Sequence, residues 1–350
     1  MTEPSINRAS KTRLTVYRDN DADLGQLQGR TVVVVGYGNQ GRAQALNLRD
    51  SGVSVQVASI RDASAEKAEA DGFQVIPIEG SARIADVLML LVPDEVQRRV
   101  YDQWLARDMT AGHTLVFAHG YNYHFGLIVP PRDIDVVLIA PRMIGAVVRE
   151  AFERGAGVPA YVAVGHDGSS RAKQTMLALA KGVGCTRAGV VEMSFADETV
   201  LDLFVEQTLM PIFSKSMLWA FELLVGAGFD PGIVTLELYG SGEIAEVFQA
   251  CAKVGFYEQL FRFHSRTAQY GELSRTDMIL PPEVREAMVT VLHDIRSGKF
   301  AQEWVAEEKN GCLRFNALLE EARRHPINKA EREIAKLVDF GSSLSTRLSG

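Results

Sequence analysis

The chain is poor in cysteine, has no long uninterrupted apolar run and carries no surplus of positive charge. Its three cysteines, Cys185, Cys251 and Cys312, stand far apart with no paired spacing. They make no zinc motif and cannot all pair within one chain. A disulfide-stapled fold is excluded, and a reducing cytoplasm is the expected setting. No apolar stretch reaches the ~18 residues of a membrane span, so no membrane association is expected. The polar N-terminal stretch carries both charge signs and lacks the apolar segment of a signal peptide. Lys and Arg number 37 against 44 Asp and Glu, a net charge of −7 that disfavours a general nucleic-acid binder. Internal repeats and low-complexity tracts are missing as well.

What remains is a 350-residue chain of ordinary globular composition, long enough for about two domains. Its halves differ in pattern. In the first half, short runs apolar on both faces read as buried parallel strands: Thr31–Val35, Val53–Val57, Ala85–Val92 and Thr114–Ala118. Val136–Ala140 and Ala160–Val164 continue the series. Helical patterns such as Arg42–Asp50 and Ala63–Asp71 lie between them, and this alternation predicts a doubly wound α/β sheet. Beyond about Met193 no strand is evident. Leu201–Gln207, Pro211–Val225, Ile233–Leu238, Ile244–Phe263, Glu283–Ser297 and Ala301–Glu308 read as helices. The expected organisation is a Rossmann domain over 12–195, an all-helical domain over 196–330 and a polar tail over 331–350.

The sharpest local motif is Gly36-Tyr37-Gly38-Asn39-Gln40-Gly41, between the TVVVV strand and a helical pattern. In that context Gly36 permits the tight turn and Gly38 lets the backbone approach a pyrophosphate. Gly41 lets the helix pack closely, and the helix N-terminus favours the phosphates. The second strand ends in Ser59-Ile60-Arg61-Asp62-Ala63-Ser64. Arg61, with hydroxyls at Ser59 and Ser64, favours the 2′-phosphate of NADPH. The neighbouring Asp62 keeps NADH open, since an acid there takes a free 2′-hydroxyl.

Longer segments resemble the ketol-acid reductoisomerases. They include GYGNQGRAQALNLRDSG (36–52), LVPDEVQ (91–97), FAHGYNYHFGLIVPPRDIDVVLIAPR (117–142), DETVLDLFVEQ (197–207) and DIRSGKFAQEWVAEEKNGCLRFNALLEEARRHPIN (294–328). The likeness covers about residues 12 to 330. It implies an N-terminal Rossmann domain and a helical C-terminal domain, knotted in that family and intertwined in a homodimer or an assembly of dimers. It also implies a two-step reaction. Two Mg²⁺ ions promote alkyl migration in a 2-hydroxy-2-alkyl-3-keto acid, and NADPH then reduces the resulting 2-keto acid.

Several site residues follow from the match. Asp202 and Glu206, four apart and so on one helix face, correspond to metal ligands. His119 corresponds to the active-site histidine, and His124 in the same loop reads as structural. Ser265 corresponds to a serine at the substrate carboxylate, and Glu237 to the first acid of a second metal helix. Two departures stand out. Arg142 replaces a lysine near the metals, with Met143-Ile144 adding apolar bulk; arginine keeps the charge but relays no proton. The family's second E-x-x-x-E is broken: Ser241 stands four residues after Glu237, and Glu243 stands six after it, on another face of an ideal helix. Matching both flanks requires an insertion after Glu237, and a distorted loop there could return Glu243 to the site.

The departures lead to the expectation of a reductase that transfers hydride from NADPH to a C=O or C=N bond, such as an imine of secondary metabolism. His119, Arg142, Asp202 and Glu206 form its catalytic set, with Mg²⁺-dependent migration weakened or lost. The alternative is an authentic ketol-acid reductoisomerase acting on 2-acetolactate.

Overall fold

A computed structural model describes residues 14–338. Expectations for the start of the chain and the last part of the tail fall outside those residues. The chain separates into two compact units, Met1–Thr199 and Val200–Gly350.

The first unit is built on nine strands: β1 (Val16–Tyr17), β2 (Thr31–Val35), β3 (Ser54–Ala58), β4 (Val75–Ile76), β5 (Val87–Leu90), β6 (Thr114–Phe117), β7 (Asp135–Pro141), β8 (Ala160–His166) and β9 (Val190–Glu192). Their order in the sheet is β1-β9-β8-β7-β6-β5-β2-β3-β4. The run β4-β3-β2-β5-β6-β7 is parallel throughout, with Val33 opposite Gln56 and Leu88. It has the doubly wound order in which the chain reverses direction across the sheet at β2 and β5. Alternate side chains separate onto two cores. Val32, Val34, Met89, Val116 and Ile139 pack on one face. Val33, Val35, Leu90, Phe117 and Leu138 pack on the other. Helices cover both faces: α1 (Asn39–Asp50), α2 (Ala63–Ala70), α3 (Asp94–Val100), α4 (Tyr121–His124), α5 (Gly145–Glu153) and α6 (Ala172–Val183).

The sheet is mixed, where the sequence suggests parallel strands throughout. β8 runs antiparallel to β7, and β1 antiparallel to β9. Burial on both faces gives parallel and antiparallel strands the same apolar pattern, so composition does not separate them.

Helix α7 (Phe195–Gln207) runs across the boundary between the units. The second unit then holds α8 (Leu209–Gly226), α9 (Pro231–Thr235), α10 (Glu243–Val254), α11 (Phe256–Phe263), α12 (Arg266–Ile279), α13 (Pro282–Arg296), α14 (Lys299–Lys309), α15 (Leu313–Arg324) and α16 (Ile327–Ile334). The helix expected over 244–263 is divided at Gly255, whose backbone (φ 113°, ψ 154°) suits only glycine. α16 also carries helix into the expected polar tail, and the Tyr239 hydroxyl donates to Glu331 there.

Within Phe195–Gly226 an 18-residue window reaches a mean hydropathy of 1.3, enough by length and composition alone to cross a bilayer. That window lies toward the C-terminal end of the stretch and carries Lys215 and Glu222, and one such helix is weak evidence for a membrane span.

Candidate functional site

The glycine loop lies where the sheet order reverses. Gly36 follows β2 with φ +95°, and a Cβ there would sit 2.7 Å from Val92 Cγ1. A Cβ on Gly41 would lie 2.2 Å from the Gly36 carbonyl oxygen, so α1 starts closer to the turn than any side chain allows. A Cβ on Gly38 would meet nothing within 4 Å. That open side faces a cleft of about 630 Å³, lined by Gly36–Gln40, Ser59, Ser64, Leu90–Asp94 and His119 among others. The C-terminal ends of β2, β3, β5 and β6 therefore all open onto one crevice, the place where open α/β sheets bind ligands.

The motif's side chains do other work. Tyr37 is buried, its ring edge against Phe73, and its hydroxyl donates to Asp71 Oδ2 at 2.9 Å. Arg42 donates to both oxygens of the same carboxylate at 2.7 and 3.2 Å. These bonds hold the Asp71 carboxyl below its ordinary range, with Arg42 the larger cause, and burial pushes the Tyr37 phenol up. Gln40 Nε2 donates to the Met143 carbonyl and Asn39 Oδ1 accepts from Gly145 N, both at 2.8 Å. The phosphate-loop residues are thus tied to the segment that carries Arg142.

At the tip of β3 the candidate cofactor residues divide. Ser59 and Ser64 line the main cleft. Arg61 lines an adjoining cleft of about 350 Å³ with Pro77, Glu79 and Trp104. Its exposed guanidinium pairs with Glu69 Oε1 at 2.6 Å. Asp62, which also reaches the main cleft, caps α2, accepting from Ser64 N at 3.0 Å and Ala65 N at 3.1 Å.

His119 lies just past β6, with its Nδ1 2.6 Å from Asp94 Oδ2. Its neighbour Gly120 donates its N–H to Glu198 Oε2 at 2.8 Å. Glu198 is almost fully buried, and Arg142 Nη1 stands 3.6 Å from its other oxygen. The Arg142 guanidinium also lies 5.0 Å from the centroid of the Tyr161 ring. A buried carboxylate needs such a partner, so here the arginine has a structural task. Burial lowers the pKa of His124, against the opposing charge of Asp197, and its ring packs on Phe125.

In the second unit Asp202 and Glu206 lie on successive turns of α7. Glu237 lies in a wide π-type turn (Leu236–Gly240) that continues α9. Gly242 then turns the chain with φ +84°, and α10 begins at Glu243. Ser241 Oγ accepts from the Glu243 N–H at 3.3 Å, so the serine serves that helix start. Glu243 and Ser265 line one cleft of about 460 Å³ with Glu246, Gln259 and His264, and Glu237 is not among its lining residues. Ser265 also caps α12, accepting from Ala268 N.

Two residues of the site had no role assigned from sequence. Glu198 was legible as the first member of an acidic series at 198, 202 and 206. Asp94 was legible only as an acid following the proline at the end of β5.

Fold and cleft define a dinucleotide-binding protein of the Rossmann type with a helical second unit. Residues 26–189 match the family model for the acetohydroxy acid isomeroreductase NADPH-binding domain. Residues 195–340 match that for the ketol-acid reductoisomerase C-terminal domain. Ketol-acid reductoisomerases (NADP(+)) of Pyrobaculum calidifontis and Pyrobaculum aerophilum are each 42% identical over 332 residues, 93% of this chain and 99% of theirs. An NADH-preferring ketol-acid reductoisomerase from an uncultured archean superposes with a TM-score of 0.88 at 37% identity, covering 93% of this chain and 99% of that one. A putative oxidoreductase from Jannaschia sp. CCS1 shares the fold alone, at 15% identity and a TM-score of 0.56, over 76% of this chain and 97% of that one. The chain belongs to the ketol-acid reductoisomerase family.

Proposed function

We propose that the protein is a working ketol-acid reductoisomerase, converting 2-acetolactate or a related 2-hydroxy-2-alkyl-3-keto acid with NADPH and Mg²⁺. One observation carries this over a reductase that has lost migration. The disrupted second acidic helix is absorbed by the π-type turn and Gly242, and Glu243 stands in the same cleft as Ser265. An acid is thus set at a helix start in one cleft with Ser265, rather than fixed on the far face of an ideal helix. Asp202 and Glu206, one turn apart on α7, offer the carboxylate oxygens a hard divalent cation prefers, and they are the residues that would hold it. Bound Mg²⁺ supplies Lewis acidity, polarising substrate oxygens during migration.

The chain's own groups supply the rest. The Gly36–Gly41 turn and the N-terminus of α1 hold the pyrophosphate, and Ser59, Ser64 and Arg61 receive the 2′-phosphate. Arg61 must leave Glu69 to do so. Such an exposed pair costs about 0–1 kcal/mol to break. His119 offers a ring nitrogen to a substrate hydroxyl, and Ser265 a hydroxyl to the substrate carboxylate. The helical unit completes its core against a second copy of the chain.

Arg142 favours the second reading, a reductase of C=O or C=N bonds, because an arginine committed to Glu198 and Tyr161 relays no proton. Purified protein is mixed with 2-acetolactate, NADPH and Mg²⁺. NADPH oxidation that yields a 2,3-dihydroxy acid and stops on chelation is expected. Reduction of a 2-keto acid or an imine, with none of 2-acetolactate, overturns the proposal in favour of the second reading. Repeating the assay with NADH tests the coenzyme, and NADPH is expected to be preferred.

A further inference from the structure

We infer that Asp94 is a positioning residue for His119, fixing the imidazole as the Nδ1–H tautomer so that Nε2 is presented as an acceptor. The inference rests on the reading of His119 as a group that meets substrate. A carboxylate oxygen only accepts hydrogen bonds. With Asp94 Oδ2 2.6 Å from His119 Nδ1, the proton of the neutral ring belongs on Nδ1.

Asp94 is itself held by its neighbours. It opens α3, directly after Pro93, where the helix N-terminus favours a negative charge. Gln97 Nε2 donates to Asp94 Oδ1 and to the Val92 carbonyl, both at 3.0 Å. Asn122 Nδ2 donates to the Asp94 carbonyl at 2.9 Å and to Gln97 Oε1 at 3.1 Å. Gln97 and Asn122 are both buried, so the amide chain forms a fixed base for one carboxylate. The His119 ring lies nearly parallel to Tyr121, with an interplanar angle of 24° and 6.1 Å between ring centroids. Orientation and tautomer are thus set before any ligand arrives, and such preorganisation preserves acid–base function. Both Asp94 and His119 line the dinucleotide cleft.

The test is ¹⁵N NMR of histidine-labelled, substrate-free protein at a pH where the ring is neutral, with His119→Gln assigning the signal among seven histidines. Native protein is expected to show His119 with its proton on Nδ1. In Asp94→Asn, whose amide can donate, the proton moves to Nε2. Turnover of 2-acetolactate is expected to fall about 100-fold in kcat, with the NADPH KM within about threefold and partial recovery in Asp94→Glu. An Nε2–H tautomer in native protein overturns the inference whether or not the variant folds. So does an Asp94→Asn protein of unchanged kcat. Absence of turnover in the native enzyme counts against the proposed function, and the tautomer, read without substrate, still decides the role of Asp94.

Discussion

The two units spend similar apolar residues in opposite ways. In the first, the central strands are buried on both faces, and many of the largest fully buried side chains, Phe117, Leu88, Met89 and Ile139 among them, lie in the sheet. In the second, among the described residues, Phe221, Val234, Ile327 and Ala330 form one small core cluster. Trp219, Leu223, Phe248, Phe256 and Tyr270 are more than half exposed there. The first unit accounts for its own stability by burial. The second presents apolar surface of the kind that marks an interface, which supports the proposal that a second copy of the chain covers it.

The most direct way to break this comparison is Leu223→Asp. Leu223 is 74% exposed, and a surface substitution at such a site ordinarily changes stability by about 0.5 kcal/mol or less. If a second copy covers it, a buried unpaired carboxylate is prohibitive. Light scattering is expected to show a dimer or larger assembly for the native chain and a monomer for the variant. Turnover of 2-acetolactate is lost with assembly, and NADPH affinity at the first unit stays within about threefold. A monomeric native protein removes the basis of the contrast.

Within the first unit, two glycines of one motif separate folding from binding. Gly41→Ala drives a methyl into the Gly36 carbonyl, a backbone atom that cannot swing aside. Thermal denaturation is expected to show a loss of about 2 kcal/mol, in the range of overpacking, with weaker NADPH binding. Gly38→Ala places its methyl in open space. Its melting temperature is expected to stay unchanged while NADPH affinity falls about tenfold, equal to 1.4 kcal/mol. Equal behaviour of the two variants would mean that the cleft beside Gly38 is not where pyrophosphate approaches.

The same contrast governs what the sequence made legible. The longer strands of the first unit announced themselves because their burial is local: TVVVV is apolar whichever neighbour it has; the short β1, β4 and β9 did not. The glycine spacing carried its own geometry. Antiparallel pairing of β8 stayed hidden, since pairing direction is a property of the path between strands. In the second unit α12 and α15 were missed: both are polar on average and bury no residue, and α12 is weakly periodic besides. Between Glu237 and Glu243 the ideal-helix angle does not apply, because the chain makes a π-type turn and a glycine reversal there. A fixed angular step per residue cannot foresee a local change of that step. Asp94 needed the tertiary fold outright: it is 25 residues from His119, and only the adjacency of β5 and β6 brings them together.

The smallest effect expected lies in the acid arm of stability. Asp71 is held below its ordinary value of 3.8, chiefly by the Arg42 hydrogen bond and then by Tyr37, with burial opposing. In the folded state it therefore keeps its charge to lower pH than in the unfolded chain. The unfolded chain binds more protons in that interval, so the stabilisation is complete above the ordinary carboxylate range and is lost as pH falls through the lowered value. Asp71→Asn is expected to cost about 1 kcal/mol at pH 7, as a partly exposed charged cluster does. The gap between the urea midpoints of native and variant protein should then close progressively below pH about 4. This change should appear in the transition of the first unit and leave assembly through the second unaltered. A gap that stays constant down to pH about 3 means that Asp71 contributes through packing of Tyr37 and Arg42 rather than through its charge.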